Sequence, residues 1–191
     1  MRALYDWTMA LAGHRLAVRW LAFISFIESS VFPIPPDVML MPMVLAHRAR
    51  AFFYAFVCTV ASVLGGLAGY AIGYFLWEVA GQPIFELYGY QDKFTAFQAG
   101  FNEWGAWLVF VFGVTFFPFK VITIASGVTA LNPVIFILSA LLARGLRFFV
   151  VAGLLWRFGE AIQAFVEKRL ATMMSLFVIL LVGGFVALKF L

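Results

Sequence analysis

Apolar residues in this chain come in long runs, and the runs differ in whether anything interrupts them. Ala51 to Trp77, AFFYAFVCTVASVLGGLAGYAIGYFLW, carries no charge. At about 1.5 Å of rise per residue it is long enough to cross the ~30 Å hydrocarbon layer of a bilayer as one helix. Pro133 to about Trp156 forms a second run. Asn132 is placed to cap it and Pro133 to occupy its first turn. A third, plainer run covers 172–191 and ends near Lys189. Two more runs are broken: Leu16 to Ala46 at FPIPPD, and Trp104 to Thr129 at FFPFK. Each half is too short to span. Proline removes a backbone donor and pushes the preceding residue out of the helical region. Irregular backbone at membrane depth persists only where protein or a wet cavity surrounds it. The pattern predicts two re-entrant hairpins with tips at Pro33, Pro35, Pro36 and at Pro118; one kinked span in each place is the alternative.

The expected fold is therefore an all-α polytopic membrane protein, with two inverted re-entrant helical hairpins plus about three transmembrane helices. It forms a single membrane domain, 1–191. Residues 16–77 make a first repeat (hairpin and span), 78–103 an interfacial connector, 104–157 a second repeat, and 172–191 a C-terminal span. Aligning Pro35 with Pro118 sets Asp37 against Lys120 and Ala51 against Pro133. One crossing separates the hairpins, so they enter from opposite sides, an organisation that points to a transporter with a midplane site. Within the first span Ala61, Gly65, Gly69 and Gly73 recur every four residues, a small-residue face for close helix packing. Leu4, Trp7 and Leu11, and again Phe94, Phe97 and Phe101, suggest amphipathic helices lying at the interface.

Composition agrees with the pattern. The 191 residues are 65% hydrophobic and 12% charged, against about half and a quarter in soluble domains, and the mean hydropathy is +1.03. With both hairpins re-entrant, Arg2, Arg15, Arg19, Arg48, Arg50, Arg157, Lys168 and Arg169 share a side, and Lys93 faces them among Glu78, Glu86, Asp92 and Glu103. This bias places the N-terminus in the cytoplasm. No small-x-small pattern follows the first apolar run, so a removable signal peptide is not expected. Cys58 is the one cysteine and reads as a small buried hydrophobe. His14 and His47 stand apart beside basic residues, without metal-ligand neighbours. No cofactor is expected. The basic residues form no extended patch, which argues against nucleic acid. No nucleophile–base pair, metal set or phosphate loop suggests an enzyme.

The residues that need explaining are the charges at membrane depth: Glu28, Asp37, Lys120, Arg144 and Arg147. Each isolated charge at a helix centre costs roughly 2.5–3.5 kcal/mol, so they are expected to converge on an internal, partly wet pocket. Two acids against three cations leave one positive charge over, which suits a phosphate. Lys120, Arg144 and Arg147 are the candidate anion-binding residues. Glu28 and Asp37 are the candidate proton-coupling residues. Other readings stand beside these. Asp37 fits a helix N-cap, and the two arginines, three residues apart on one face, fit structural pairing with Glu28 or Asp37. Lys120 opposes the positive end of its own half-helix unless an anion or Asp37 sits beside it.

These residues resemble the DedA family of membrane proteins, also described by the VTT or SNARE-associated domain, and in particular its YqaA-like branch. The resemblance rests on Glu28, on FPIPPD (Phe32 to Asp37), on GGLAGYAIG (Gly65 to Gly73) and on FFPFKVITIASG (Phe116 to Gly127), and spans about Leu21 to Gly159. It implies a bacterial inner-membrane protein with two opposed re-entrant hairpins, involved in moving lipids between leaflets and dependent on ion gradients. Glu28 and Asp37 match the family's embedded acids, and Lys120 stands where many members carry arginine. Val114 occupies roughly the place of a second arginine, so anion coordination must differ here. The leading expectation is a flippase or scramblase for an anionic, phosphate-bearing lipid, with membrane lipids as partners and self-association left open. A proton- or cation-coupled small-solute antiporter and a non-transporting scaffold are the alternatives.

Overall fold

The computed structural model describes residues 16–31, 35–115 and 117–159. Pro33, the N-terminal amphipathic stretch and the span at 172–191 lie outside them. Among the described residues the chain is helical and contains no strand. The helices are α1 (Ala17–Ser30), α2 (Asp37–Ala46), α3 (Ala51–Leu76), α4 (Gln82–Leu87), α5 (Gln91–Val114), α6 (Phe119–Val128) and α7 (Pro133–Phe158). A 3-10 turn over Arg48–Arg50 leads into α3, and a wider π-helical stretch, Trp77–Gly81, leads out of it. Among the described residues two helices are long and apolar enough to cross a membrane: the continuous helical stretch Arg48–Leu87, which contains α3, and α7.

Local chemistry explains several boundaries. Asn132 Oδ1 accepts from Val134 N at 2.9 Å and Ile135 N at 3.4 Å, so α7 starts as the sequence predicts. It stops at Gly159, whose φ of +59° suits glycine. No helix end falls at the expected boundary between 103 and 104. Phe94, Phe97 and Phe101 belong to the same unbroken helix, α5, as Trp104 to Val114. No proline falls between Gln91 and Val114, and Gly100 and Gly105 weaken a helix without ending it.

The register of contacts gives the chain path. The Phe26 backbone abuts Gly65, and Ser29 abuts Gly69 and Ser62, so α1 runs alongside α3 in the same direction. The chain must then double back through α2 to reach Ala51. Asp37 lies at Arg147 and Arg48 at Gly159, which shows α2 covering that return along α7. From the other end, Gln98 and Asn102 of α5 reach Thr129 while Gly113 meets Phe119, so α5 and α6 are antiparallel. Both helix pairs thus reverse direction, between the described ends Val31 and Pro35 in one and Thr115 and Phe117 in the other, and Lys120 with Val31 links the two reversals beside Gly69 of α3.

The glycine stripe seats both pairs. A Cβ on Gly65 would collide with the Phe26 carbonyl, one on Gly69 with Thr123, and one on Gly73 with the Ile124 carbonyl. Only glycine lets these backbones touch. Two apolar clusters result. One gathers Leu21, Met39, Leu40, Cys58 and Phe148; the other gathers Val63, Val109, Phe119, Ile122 and Phe136. Arg144 lies where these clusters meet, its guanidinium between Phe119 of one and Phe148 of the other.

Candidate functional site

Glu28 sits in the last turn of α1 and Arg144 at the middle of α7. Arg144 Nη2 donates to Glu28 Oε2 at 2.6 Å and Nε donates to Ser62 Oγ at 2.6 Å. The Ser62 and Ser29 hydroxyls are 2.6 Å apart, and Ser29 Oγ donates to Glu28 Oε2 at 3.2 Å. Because Ser62 accepts from arginine and Ser29 donates to glutamate, the proton between the two hydroxyls belongs to Ser62. The four side chains close a ring through Arg144 Nε and Nη2, while Arg144 Nη1 is buried without a hydrogen-bond partner among the described residues. The guanidinium also lies 4.8 Å from the Phe119 and Phe148 ring centroids. Its side chain is fully buried. A guanidinium is accommodated in such a place when carboxylate, hydroxyl and aromatic faces together replace its water.

Arg147, one turn away, makes a different set of contacts. Its Nη2 donates to Asp37 Oδ2 at 2.6 Å and its Nη1 donates to the Thr115 carbonyl at 3.2 Å. This pair sits at the margin, with side chains 11% and 9% exposed. Lys120 Nζ donates to the Val31 carbonyl at 3.3 Å. Thr123 Oγ1 donates to the Lys120 carbonyl at 2.9 Å and contacts the Ser29 carbonyl at 3.3 Å. Val31 and Thr115 cap the C-terminal ends of α1 and α5, where carbonyls lack helical donors and the dipole is negative. This accounts for a lysine at the start of α6: it serves the end of α1. Of the two partners weighed for Lys120, an anion or Asp37, the acid is taken by Arg147. Among the described residues no carboxylate pairs with Lys120.

With that geometry in hand, comparison with known proteins gives two relatives. An uncharacterized protein of Haemophilus influenzae is 39% identical over 186 residues, covering 97% of this chain and 96% of its own length. An uncharacterized protein of Histophilus somni is 39% identical over 151 residues, covering 79% and 78%. This chain belongs to their family. No family model matches it, and no solved structure does.

The structure pairs four of the five singled-out charges of this family member, Glu28 with Arg144 and Asp37 with Arg147 one turn on, and sets Lys120 against the end of α1. Pro35 and Pro36 precede α2 and Pro118 precedes α6, at the reversals. Sequence reasoning missed Ser29, Ser62 and Thr123, which complete the network. Their signal was available: a hydroxyl directly after Glu28, one inside the uncharged run Ala51 to Trp77, and one three residues after Lys120. It also missed Gln98 and Asn102, whose amides each donate to the Thr129 carbonyl at 2.9 Å and tie α5 to the end of α6. A surface pocket of about 440 Å³ lies near Trp77 and the start of α5, and none of the five charged residues lines it.

Proposed function

We propose that this protein is a multi-pass membrane transporter that moves an anionic, phosphate-bearing lipid between leaflets, with its N-terminus on the cytoplasmic side of a bacterial inner membrane. The observation that carries the reading is the meeting of two broken-helix reversals, from opposite ends of the bundle, around two neutralised ion pairs and the cation of Lys120. That is the arrangement expected of inverted repeats with a midplane site for an anion. The resemblance to the DedA family belongs to the same proposal. Placement in a membrane is supported by α7, whose Val134, Leu138, Leu142, Leu146 and Val150 form an exposed apolar stripe. A continuous exposed apolar surface of this kind is disfavoured in water and favoured in lipid.

The test is reconstitution into vesicles carrying fluorescent phosphatidate, phosphatidylglycerol or phosphatidylcholine, with transfer read by a membrane-impermeant quencher. Anionic lipids should move faster than in empty vesicles. Lys120→Ala should slow them about tenfold or more, as expected for loss of a charge-assisted contact, while the protein stays folded. Equal rates with and without protein for all three lipids would remove the proposal. Proton-coupled antiport of a small solute is the second reading, favoured by Asp37, whose Oδ1 is buried without a hydrogen-bond partner among the described residues. A pH-sensitive dye inside the same vesicles, with candidate solutes outside, separates the two.

A further inference from the structure

The two arginines at this site are held so differently that one assignment cannot serve both. Arg144 has a carboxylate, a hydroxyl and two aromatic faces around it and no exposed surface. Its Nη1 has no hydrogen-bond partner among the described residues but is buried with the rest of the side chain; to move out to a ligand the guanidinium would have to give up Glu28 and Ser62, and a buried charge that loses its partner is strongly disfavoured. Arg147 lies at the margin, held by one Asp37 oxygen and by the Thr115 carbonyl. Lys120 is held by a neutral carbonyl at 3.3 Å. A phosphate oxygen is a stronger acceptor than a peptide carbonyl, and a phosphate matches the guanidinium fork at least as well as a carboxylate does.

Resting on the transporter reading above, we infer that the phosphate group binds by exchange. Arg147 leaves the Asp37 carboxylate and Lys120 leaves the Val31 carbonyl to take phosphate oxygens, while Arg144 remains with Glu28 as a positioning residue. The bonds given up are cross-links within the assembly. Lys120 to Val31 ties the second reversal to the first, and Arg147 to Asp37 ties α7 to the first. Occupation by phosphate therefore loosens the first helix pair from its neighbours, and departure of the phosphate restores the links. In this scheme Asp37 is an internal competitor of the ligand.

That role has an unusual sign, which makes it testable. Purified full-length protein in neutral detergent is titrated calorimetrically with dihexanoyl phosphatidate and, separately, with inorganic phosphate. Asp37→Asn, which leaves Arg147 without its competing anion, should bind dihexanoyl phosphatidate about tenfold more tightly than wild type. Glu28→Gln should give no such gain, and adding Arg147→Ala to Asp37→Asn should abolish it. A gain with phosphatidate alone assigns the ligand to a lipid headgroup; an equal gain with inorganic phosphate keeps the exchange and assigns it to free phosphate. Weaker or unchanged binding by Asp37→Asn, or a gain that survives loss of Arg147, overturns the inference. If Asp37→Asn does not fold, spin labels at Phe23→Cys and Val121→Cys, both exposed, in a Cys58→Ser background keep the question open to measurement. Their separation should increase with dihexanoyl phosphatidate and not with dihexanoyl phosphatidylcholine, and an unchanged separation counts against the exchange. Tighter binding without lipid movement in vesicles would leave the exchange standing and remove the transport reading alone.

Discussion

Replacing Glu28 and Arg144 by methionine, singly and together, puts the central network to a quantitative test. Glu28→Met leaves a fully buried guanidinium whose remaining partners are Ser62 and two rings. Breaking a buried pair from one side typically costs about 3–5 kcal/mol. Arg144→Met strands a carboxylate that is 13% exposed and still accepts from Ser29, so its cost should fall at the lower end of that range. The double variant strands neither charge, and two unbranched apolar side chains replace two charged ones of similar length. Such replacements are often neutral or better, so the double variant should recover to within about 2 kcal/mol of wild type. At about 2–4 °C per kcal/mol for a chain of this size, the single variants should melt about 6–20 °C lower. Cys58, fully buried and alone of its kind, supplies the assay, because a thiol-reactive dye fluoresces only when the bundle opens. Single variants within about 1 kcal/mol of wild type, or a double variant that costs the sum of the singles, would refute the ring as a coupled unit.

Two further outcomes follow from packing and capping. Gly65→Ala should destabilise by about 3 kcal/mol or more, because its Cβ would meet the Phe26 backbone carbonyl, which cannot rotate away. Gly66→Ala, whose Cβ would lie 3.3 Å from the Phe119 ring edge, should cost about 1 kcal/mol or less in the same melting assay. Asn132→Ala removes the cap of α7 and should cost about 1 kcal/mol, read as a lower melting temperature with the helix content seen by circular dichroism nearly unchanged.

What the sequence made legible, and what it did not, follows the range of the forces involved. The start of α7 was readable because Asn132 and Pro133 act on the neighbouring turn. The packing role of Gly65, Gly69 and Gly73 was readable because spacing four on an apolar helix fixes a face. The pairing of the acids Glu28 and Asp37 with the arginines Arg144 and Arg147 followed from the expense of leaving any of them alone in an apolar setting. Which acid meets which arginine was not readable. That choice depends on the axial register of α1 and α7 against α3, set by contacts such as Gly65 with Phe26 and Thr59 with Gly145 that are remote in sequence. Nor was the continuity of α5. Asp92, Lys93 and Glu103 look like the end of an apolar helix, yet helix formation asks only for unbroken backbone hydrogen bonding, and nothing from Gln91 to Val114 interrupts it.

Gly69 touches both halves of the molecule, Thr123 on one side and the Ser29 carbonyl on the other. A methyl group added there would push on both reversals at once, so an error in either half is transmitted to the other through a single atom's width. The two helix pairs therefore share one fate at α3: neither can drift in shape, be redesigned or be exchanged for a foreign copy unless its opposite number is refitted to the same rail.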